Sequence, residues 1–205
     1  MDQKKIEILE RSGAVFMKYG LKSVTMDDLC REIGVSKKTI YKYFEDKNDL
    51  VISILESKLS MDKSACDVCI STSKNAIEEL INTSRFVHDQ FSNINPTVFY
   101  DLQKHYPTAW KMMHDHKWEF VLNNIRNNII RGKKENLYRE NVDPDIISRY
   151  YVSAMDSLMD GSVYPSPEFK TDKVLTEILR FHIRGLASDL GITYLKEHFN
   201  REINE

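Results

Sequence analysis

"TMDDLCREIGVSKKTIYKYFEDK", residues 25–47, decides the fold of this chain. Thr25 with Asp28 three positions later is a capping-box pair, in which each side chain satisfies the other's free backbone N–H. Asp27 and Asp28 also suit the positive end of the helix dipole. Met26, Leu29, Cys30 and Ile33 then recur at helical spacing, one apolar stripe on a short helix that Gly34 stops. Val35 and Ser36 open the next helix, Ser36 as its cap. Ile40 and Phe44, four apart, are its buried pair. Lys37, Lys38, Thr39, Tyr41, Lys42 and Tyr43 fall on the remaining faces. Asp46 caps a further helix with Lys47 in its first turn.

Two short helices joined by a glycine-containing turn make a helix-turn-helix, whose second helix enters the major groove of DNA and meets base edges with its N-terminal residues. Four lysines and two tyrosines within residues 35–47 fit that task better than solubility alone. Lysine and tyrosine can bond phosphate oxygens and fix register, and Lys and Thr near the helix start reach bases.

Charge supports a local footprint. Residues 1–48 carry ten Lys+Arg against eight Asp+Glu, net +2, so the other 157 residues carry 19 against 23, net −4. A mildly basic head on an acidic body suits one nucleic-acid face rather than a general coating of positive charge. The 205-residue chain has only seven glycines and five prolines, and its valines, isoleucines and tyrosines follow helical spacing, so an all-α fold is expected. No apolar run reaches the ~18 residues of a membrane span. The charged N-terminus has no apolar core of a signal peptide. Three cysteines suggest no disulfide framework, and a cytoplasmic setting is expected.

The run "SVTMDDLCREIGVSKKTIYKYFEDKNDLV", residues 23–51, resembles the N-terminal signature of the TetR family of bacterial transcription regulators. The shared features are Thr at the start of helix two, Ile-Gly-Val-Ser across the turn, Thr-Ile-Tyr, an aromatic pair ending in Phe, and Lys before Leu50 of helix four. The resemblance covers the first quarter of the chain closely, and beyond it extends to helical character and size. It implies that Lys37, Lys38 and Thr39 approach bases. It further implies that Tyr41, Tyr43 and Lys47 grip phosphates and that Thr25 lies near the backbone; Ser36 and Lys42 share the same face. Asp27 departs from members with a basic residue there. Cys30 fills a place where a small residue lets two helices touch, as a buried, inert thiol.

The expected architecture is an N-terminal three-helix bundle, residues 1–48, followed by a larger helical ligand-binding and dimerisation domain, residues 49–205, with nine or ten helices in all. In the head, Ile6, Leu9, Gly13 and Phe16 mark helix one and Gly20 its left-handed cap. In the body, helix four runs from Asp46 to about Asp67. Helix five carries Ile77, Leu80, Ile81, Val87 and Phe91; Pro96 opens helix six; Pro107 opens a long helix seven ending near Gly132. Pro144, Thr171 and Gly191 open the last three.

The last two long helices carry more apolar surface than one inner face needs. Tyr150, Ala154, Leu158 and Met159 on one, and Ile178, Phe181, His182 and Gly185 on the other, are the expected dimer interface, as the resemblance also implies. A two-fold dimer sets two recognition helices about 34–36 Å apart, the spacing of successive major grooves. His88, Phe99, Tyr100, Trp110, Met113, His114, Trp118 and Tyr151 are candidates for a pocket that takes an apolar or aromatic small molecule; each alone is equally consistent with core.

Cys66 and Cys69 have redox or zinc-like spacing, but no second pair stands near them and no βαβ context surrounds them. His114 and His116 point to different sides of a helix. No nucleophile–base pair, phosphate loop or paired carboxylates appear, so neither an enzyme nor a cofactor or metal is expected. The expected function is a homodimeric regulator, a repressor of a pseudo-palindromic operator that a small-molecule inducer releases. The rivals are a dimeric regulator without ligand and a helical metal or small-molecule sensor with a vestigial head.

Overall fold

The computed structural model describes residues 2–91, 94–95, 97–159, 162–165 and 168–199. The described residues are helical, with no strand beyond an isolated bridge between Tyr138 and Ala187. The helices are α1 Gln3–Tyr19, α2 Met26–Ile33, α3 Lys37–Tyr41, α4 Lys47–Thr72, α5 Ala76–Phe91, α6 Thr97–His105, α7 Pro107–His116, α8 Leu122–Lys134, α9 Pro144–Met159, α10 Thr171–Leu186 and α11 Asp189–His198. A π-helical turn, Lys117–Val121, joins α7 to α8 without leaving helical backbone angles. The expected long seventh helix thus contains a widened turn at Lys117–Val121. The expected Pro96 start of α6, and the side chains of Phe91 and Met159, lie outside the described residues.

The chain divides into two compact units, residues 1–62 with 93–115, and residues 63–92 with 116–205. The first is built on the cluster of Ile8, Leu9, Phe16, Leu29, Ile33, Ile40, Phe44, Leu50 and Val51, joined by Val98 and Leu102 of α6, Tyr106 between the helices, and Ala109 of α7. Asp2 caps α1, its carboxylate accepting the Lys4 N–H at 2.9 Å. The buried arc of α1 is wider than its spacing suggested: Ile8 and Ser12 are inside with Leu9 and Phe16, while Ile6 is half-buried. A helix packed on more than one side needs a broader arc than one stripe.

Gly34 closes α2 in the left-handed conformation expected, φ 67 and ψ 37. Gly20 differs. Its φ of 87 is positive, but with ψ 156 it is extended rather than left-handed helical, a region open essentially to glycine. A Cβ there would lie 2.7 Å from Thr97 Oγ1. The start of α6 thus occupies the space a side chain would need. Asn95 secures that approach, its N–H donating to Met17 O at 2.7 Å and its side-chain oxygen capping Thr97.

In the second unit Ala76, Ile77, Leu80 and Ile81 of α5 pack with Ile125 and Ile129 of α8, Ile183 and Leu186 of α10, and Leu195 of α11. A polar seam crosses this core. Tyr138 donates to Asn128 Oδ1 at 3.0 Å, and Asn128 Nδ2 donates to Ala76 O at 2.9 Å. Arg131 joins Glu79 and Glu135, both at 2.8 Å. Tyr138, Asn128 and Glu79 are buried and Arg131 and Glu135 half-buried, and buried polar groups bonded in this way favour a single packing. Helix α4 ends at Thr72, beyond the Asp67 expected, because polar residues there are tolerated on a largely exposed surface. Helix α8 continues two residues past Gly132, which is present for packing against Tyr138 rather than as a stop.

Candidate nucleic-acid interface

The turn between α2 and α3 is set by local chemistry. Thr25 Oγ1 accepts the Asp28 N–H at 3.1 Å while Asp28 Oδ2 accepts the Thr25 N–H at 3.1 Å. The Thr25 hydroxyl, donating to Asp28 Oδ2 at 2.6 Å, and then the Thr25 N–H hold the Asp28 carboxyl below its usual range. Ser36 Oγ caps α3 by accepting the Thr39 N–H at 3.1 Å. Ile40 is 0% exposed and Phe44 1%, so α3 is pinned from behind and its other faces look outward.

Lys37, Lys38, Lys42 and Ser36 are exposed on that outer surface, Tyr41 is 49% exposed, and Thr39 is half-buried. Thr25 is exposed at the start of α2. Lys37, Tyr43 and Lys47 hold partners from other parts of the chain. Lys37 Nζ lies 2.5 Å from Asp27 Oδ1, which raises the lysine's pKa through the bond itself and the neighbouring charge. Tyr43 donates its hydroxyl to Asp2 Oδ2 at 2.7 Å, holding that carboxyl low and its own phenol high. Lys47 is half-buried, its ammonium bonded to Leu21 O and 5.5 Å from the Phe16 ring centre. Burial pushes its pKa down, with Asp101 opposing.

Sequence reasoning missed Asp101. This buried carboxylate on α6 accepts the Lys22 N–H at 2.8 Å and so orders the α1–α2 loop from 79 positions away. No local pattern encodes a partner at that separation.

The eight pocket candidates are divided between the two units. Phe99, Tyr100, Trp110, Met113 and His114 lie in the first unit, and His88, Trp118 and Tyr151 in the second. Trp110 and Met113 pack on the head's core, and Tyr100 is exposed with its hydroxyl 2.7 Å from Lys104. His88 pairs with Asp89 and His114 with Asp115, each at 3.7 Å.

The second unit does hold a cavity of about 670 Å³, between α9, α10 and the loop that carries Tyr164 and Phe169. Of the eight candidates only Tyr151 lines it. Five of the expected interface residues do: Tyr150, Ala154, Ile178, Phe181 and His182. Leu158 is half-buried and Gly185 exposed.

Phe181 is 69% exposed and Tyr150 54%. Tyr151 and His182 are inner walls, their rings 4.5 Å apart. Burial pushes the Tyr151 phenol up to about 12 against a Ser84 hydrogen bond that lowers it. Burial also holds the His182 imidazole down, at about 4.

His182 therefore makes stability depend on pH. The folded chain binds its proton more weakly than the unfolded chain, whose histidine titrates near 6.5. Stability is complete above pH 6.5, falls by about 3 kcal/mol as pH drops towards 4, and is flat below. Burial lowers His116 in the same direction. Urea midpoints at pH 7.5 and pH 5 should differ accordingly, and His182→Asn should flatten the difference; equal midpoints in the wild type would contradict the burial.

Cys30 is buried, and Cys66 and Cys69 half-buried, with no disulfide among them. Among the described residues no group of three or more His, Cys, Asp or Glu could hold a metal, and no helix is long and apolar enough to cross a membrane.

Residues 8–54 match the profile of the bacterial regulatory proteins of the tetR family. The uncharacterized HTH-type transcriptional regulator YvaF of Bacillus subtilis is 24% identical over 82% of this chain and 87% of its own length. Another regulator of that organism, YfiR, is 35% identical over 31% of this chain and 34% of its own. Among solved structures, a transcriptional regulator of Saccharomonospora viridis in complex with choline superposes with a TM-score of 0.73 at 17% identity, over 92% of this chain and 100% of that one. The ketosteroid regulator KstR2 of Mycobacterium tuberculosis gives 0.62 at 16%, over 92% and 97%.

Proposed function

We propose that this chain, whose residues 8–54 match the profile of the tetR family of bacterial regulatory proteins, is a homodimeric repressor that leaves a pseudo-palindromic operator when a small molecule binds its body. It is a DNA-binding regulator and not an enzyme, as are the relatives it resembles. The observation that carries the DNA-reading assignment is α3, with Ile40 and Phe44 buried beneath Lys37, Lys38, Tyr41 and Lys42 on an open face. Residues 1–48 supply the reading helix, and residues 49–205 the dimer and ligand surfaces. Lys37, Lys38 and Thr39 approach bases; Thr25, Ser36, Tyr41, Lys42, Tyr43 and Lys47 hold the backbone. The protein works in the cytoplasm, where its operator is.

The inducer is an apolar or aromatic molecule, small enough for the cavity of about 670 Å³. Choline in the Saccharomonospora viridis regulator supports ligand responsiveness in this fold but not the same ligand here. An inducer acts only by its differential affinity for the operator-competent and operator-incompetent dimers. A second reading, a dimeric regulator with no ligand, is favoured by the composition of the cavity wall. Five of its residues, Tyr150, Ala154, Ile178, Phe181 and His182, are among those expected to meet a second copy.

Selection of bound duplexes from a random pool, repeated with candidate aromatic and apolar molecules, tests both readings. A palindromic operator released by none of them supports the second. Tyr41→Phe should weaken all duplexes about five-fold by losing one phosphate hydrogen bond. Lys37→Ala should cost about 1–3 kcal/mol on the operator and relax specificity at one base position. Titration by fluorescence anisotropy at several salt concentrations measures both. If neither variant moves operator affinity, α3 is not the reading helix.

A further inference from the structure

We infer that Asp27 is a specificity-determining residue of the reading face, acting through Lys37 to withhold that lysine from DNA of the wrong sequence. The inference rests on the operator-binding reading above. Asp27 stands in the first turn of α2 and Lys37 is the first residue of α3, so their 2.5 Å contact bridges the two helices across the turn. Both side chains are more than half exposed, on the surface that would face the duplex. The carboxylate bonds and attracts the ammonium and holds its proton more firmly. Asp28, the other acid of that turn, is occupied by Thr25 and by Arg31 at 2.7 Å, which leaves Asp27 to Lys37.

Phosphates are present on every duplex, and a free lysine on this face would add affinity for all of them alike. A lysine paired to a carboxylate adds none while the pair holds. Only a base edge that offers paired acceptors, such as the O6 and N7 of guanine, competes well enough to draw Lys37 away. The carboxylate therefore lowers non-specific affinity more than operator affinity, and discrimination between partners is the difference of the two. Opening an exposed pair costs up to about 1 kcal/mol on any duplex. Paired base acceptors, which discriminate by about 1–3 kcal/mol, offset that cost, whereas a single phosphate oxygen only balances it.

Asp27→Asn keeps the side chain's size and removes its charge. Lys37 then becomes available to phosphate on any duplex. Affinity for a scrambled duplex should rise about eight-fold at 0.1 M salt, with the salt slope steeper by about 0.9, the signature of one more phosphate contact. Affinity for the operator recovered by the wild type should rise about two-fold or less. In a Lys37→Gln background the Asp27→Asn change should alter neither ratio nor slope. A thermal melt shows that the variants fold, and Asp27→Ser, also uncharged at this exposed position, should repeat the pattern.

Equal gains on both duplexes would overturn the inference, because Asp27 would then merely repel the polyanion. Persistence of the effect without Lys37, or no effect at all, would overturn it too. A wild type that retains no duplex from the pool defeats the operator reading itself and this inference with it. A wild type that binds its operator while Asp27→Asn behaves identically leaves that reading standing and removes only the role of Asp27.

Discussion

Gly132→Ala should destabilise the protein by about 3 kcal/mol, although the same change inside an ordinary helix stabilises by up to about 1 kcal/mol. Gly132 lies in α8 two residues before its end. A Cβ there would come within 2.6 Å of Tyr138 Cγ and nearer still to Cδ2 and Cε2. The ring cannot simply move aside: Tyr138 is 2% exposed, and its hydroxyl bonds Asn128 Oδ1 at 3.0 Å and Ala76 O at 3.2 Å. Shifting it strains a close-packed core and breaks buried hydrogen bonds worth about 1–3 kcal/mol each. Urea unfolding at neutral pH measures the loss. The double variant Gly132→Ala with Tyr138→Leu should recover part of it by clearing the clash. A single variant as stable as the wild type would mean that the seam between α5 and α8 is looser than its geometry indicates.

Phe181→Glu should raise the dimer dissociation constant on the order of 1,000-fold and lower operator affinity with it. In a two-fold dimer each substitution occurs twice, so two carboxylates would be desolvated at one apolar contact. Phe181 is 69% exposed in the protomer, beside Tyr150 at 54%, an unusual pair of large apolar side chains to leave in water. Because Phe181 is exposed, the charge should leave the folded protomer intact, which circular dichroism would verify. Sedimentation velocity at micromolar concentration reads the oligomeric state and anisotropy the operator affinity. A variant that remains dimeric would place the interface on another surface.

The head was largely legible because its information is local. The Thr25–Asp28 box, the Ser36 cap, the left-handed Gly34 and the Ile40–Phe44 pair each involve residues within four positions, and capping and helical periodicity act over that range. Gly20 shows the limit. A positive φ was foreseeable for a glycine after a helix, but its extended ψ reflects the approach of Thr97. The pocket candidates show it more strongly: aromatic and methionine side chains at helical spacing look the same whether they line a cavity or fill a core. Trp110 and Met113 joined the head's core, and only Tyr151 reached the cavity wall.

By itself, the sequence determined an all-helical chain, the helix-turn-helix at its start, and which side of α3 is buried. These follow from hydrogen-bond capping and apolar spacing, whose reach is a turn or two of helix. Only the tertiary structure decided what the outward groups hold: Asp27 on Lys37, Asp2 on Tyr43, the Leu21 carbonyl on Lys47, and Asp101 on the α1–α2 loop. It also decided that Gly132 makes room for Tyr138 and that the cavity lies against α9 and α10. Such pairings depend on where distant segments meet in space, and close packing and charge act across that distance with no trace in local spacing.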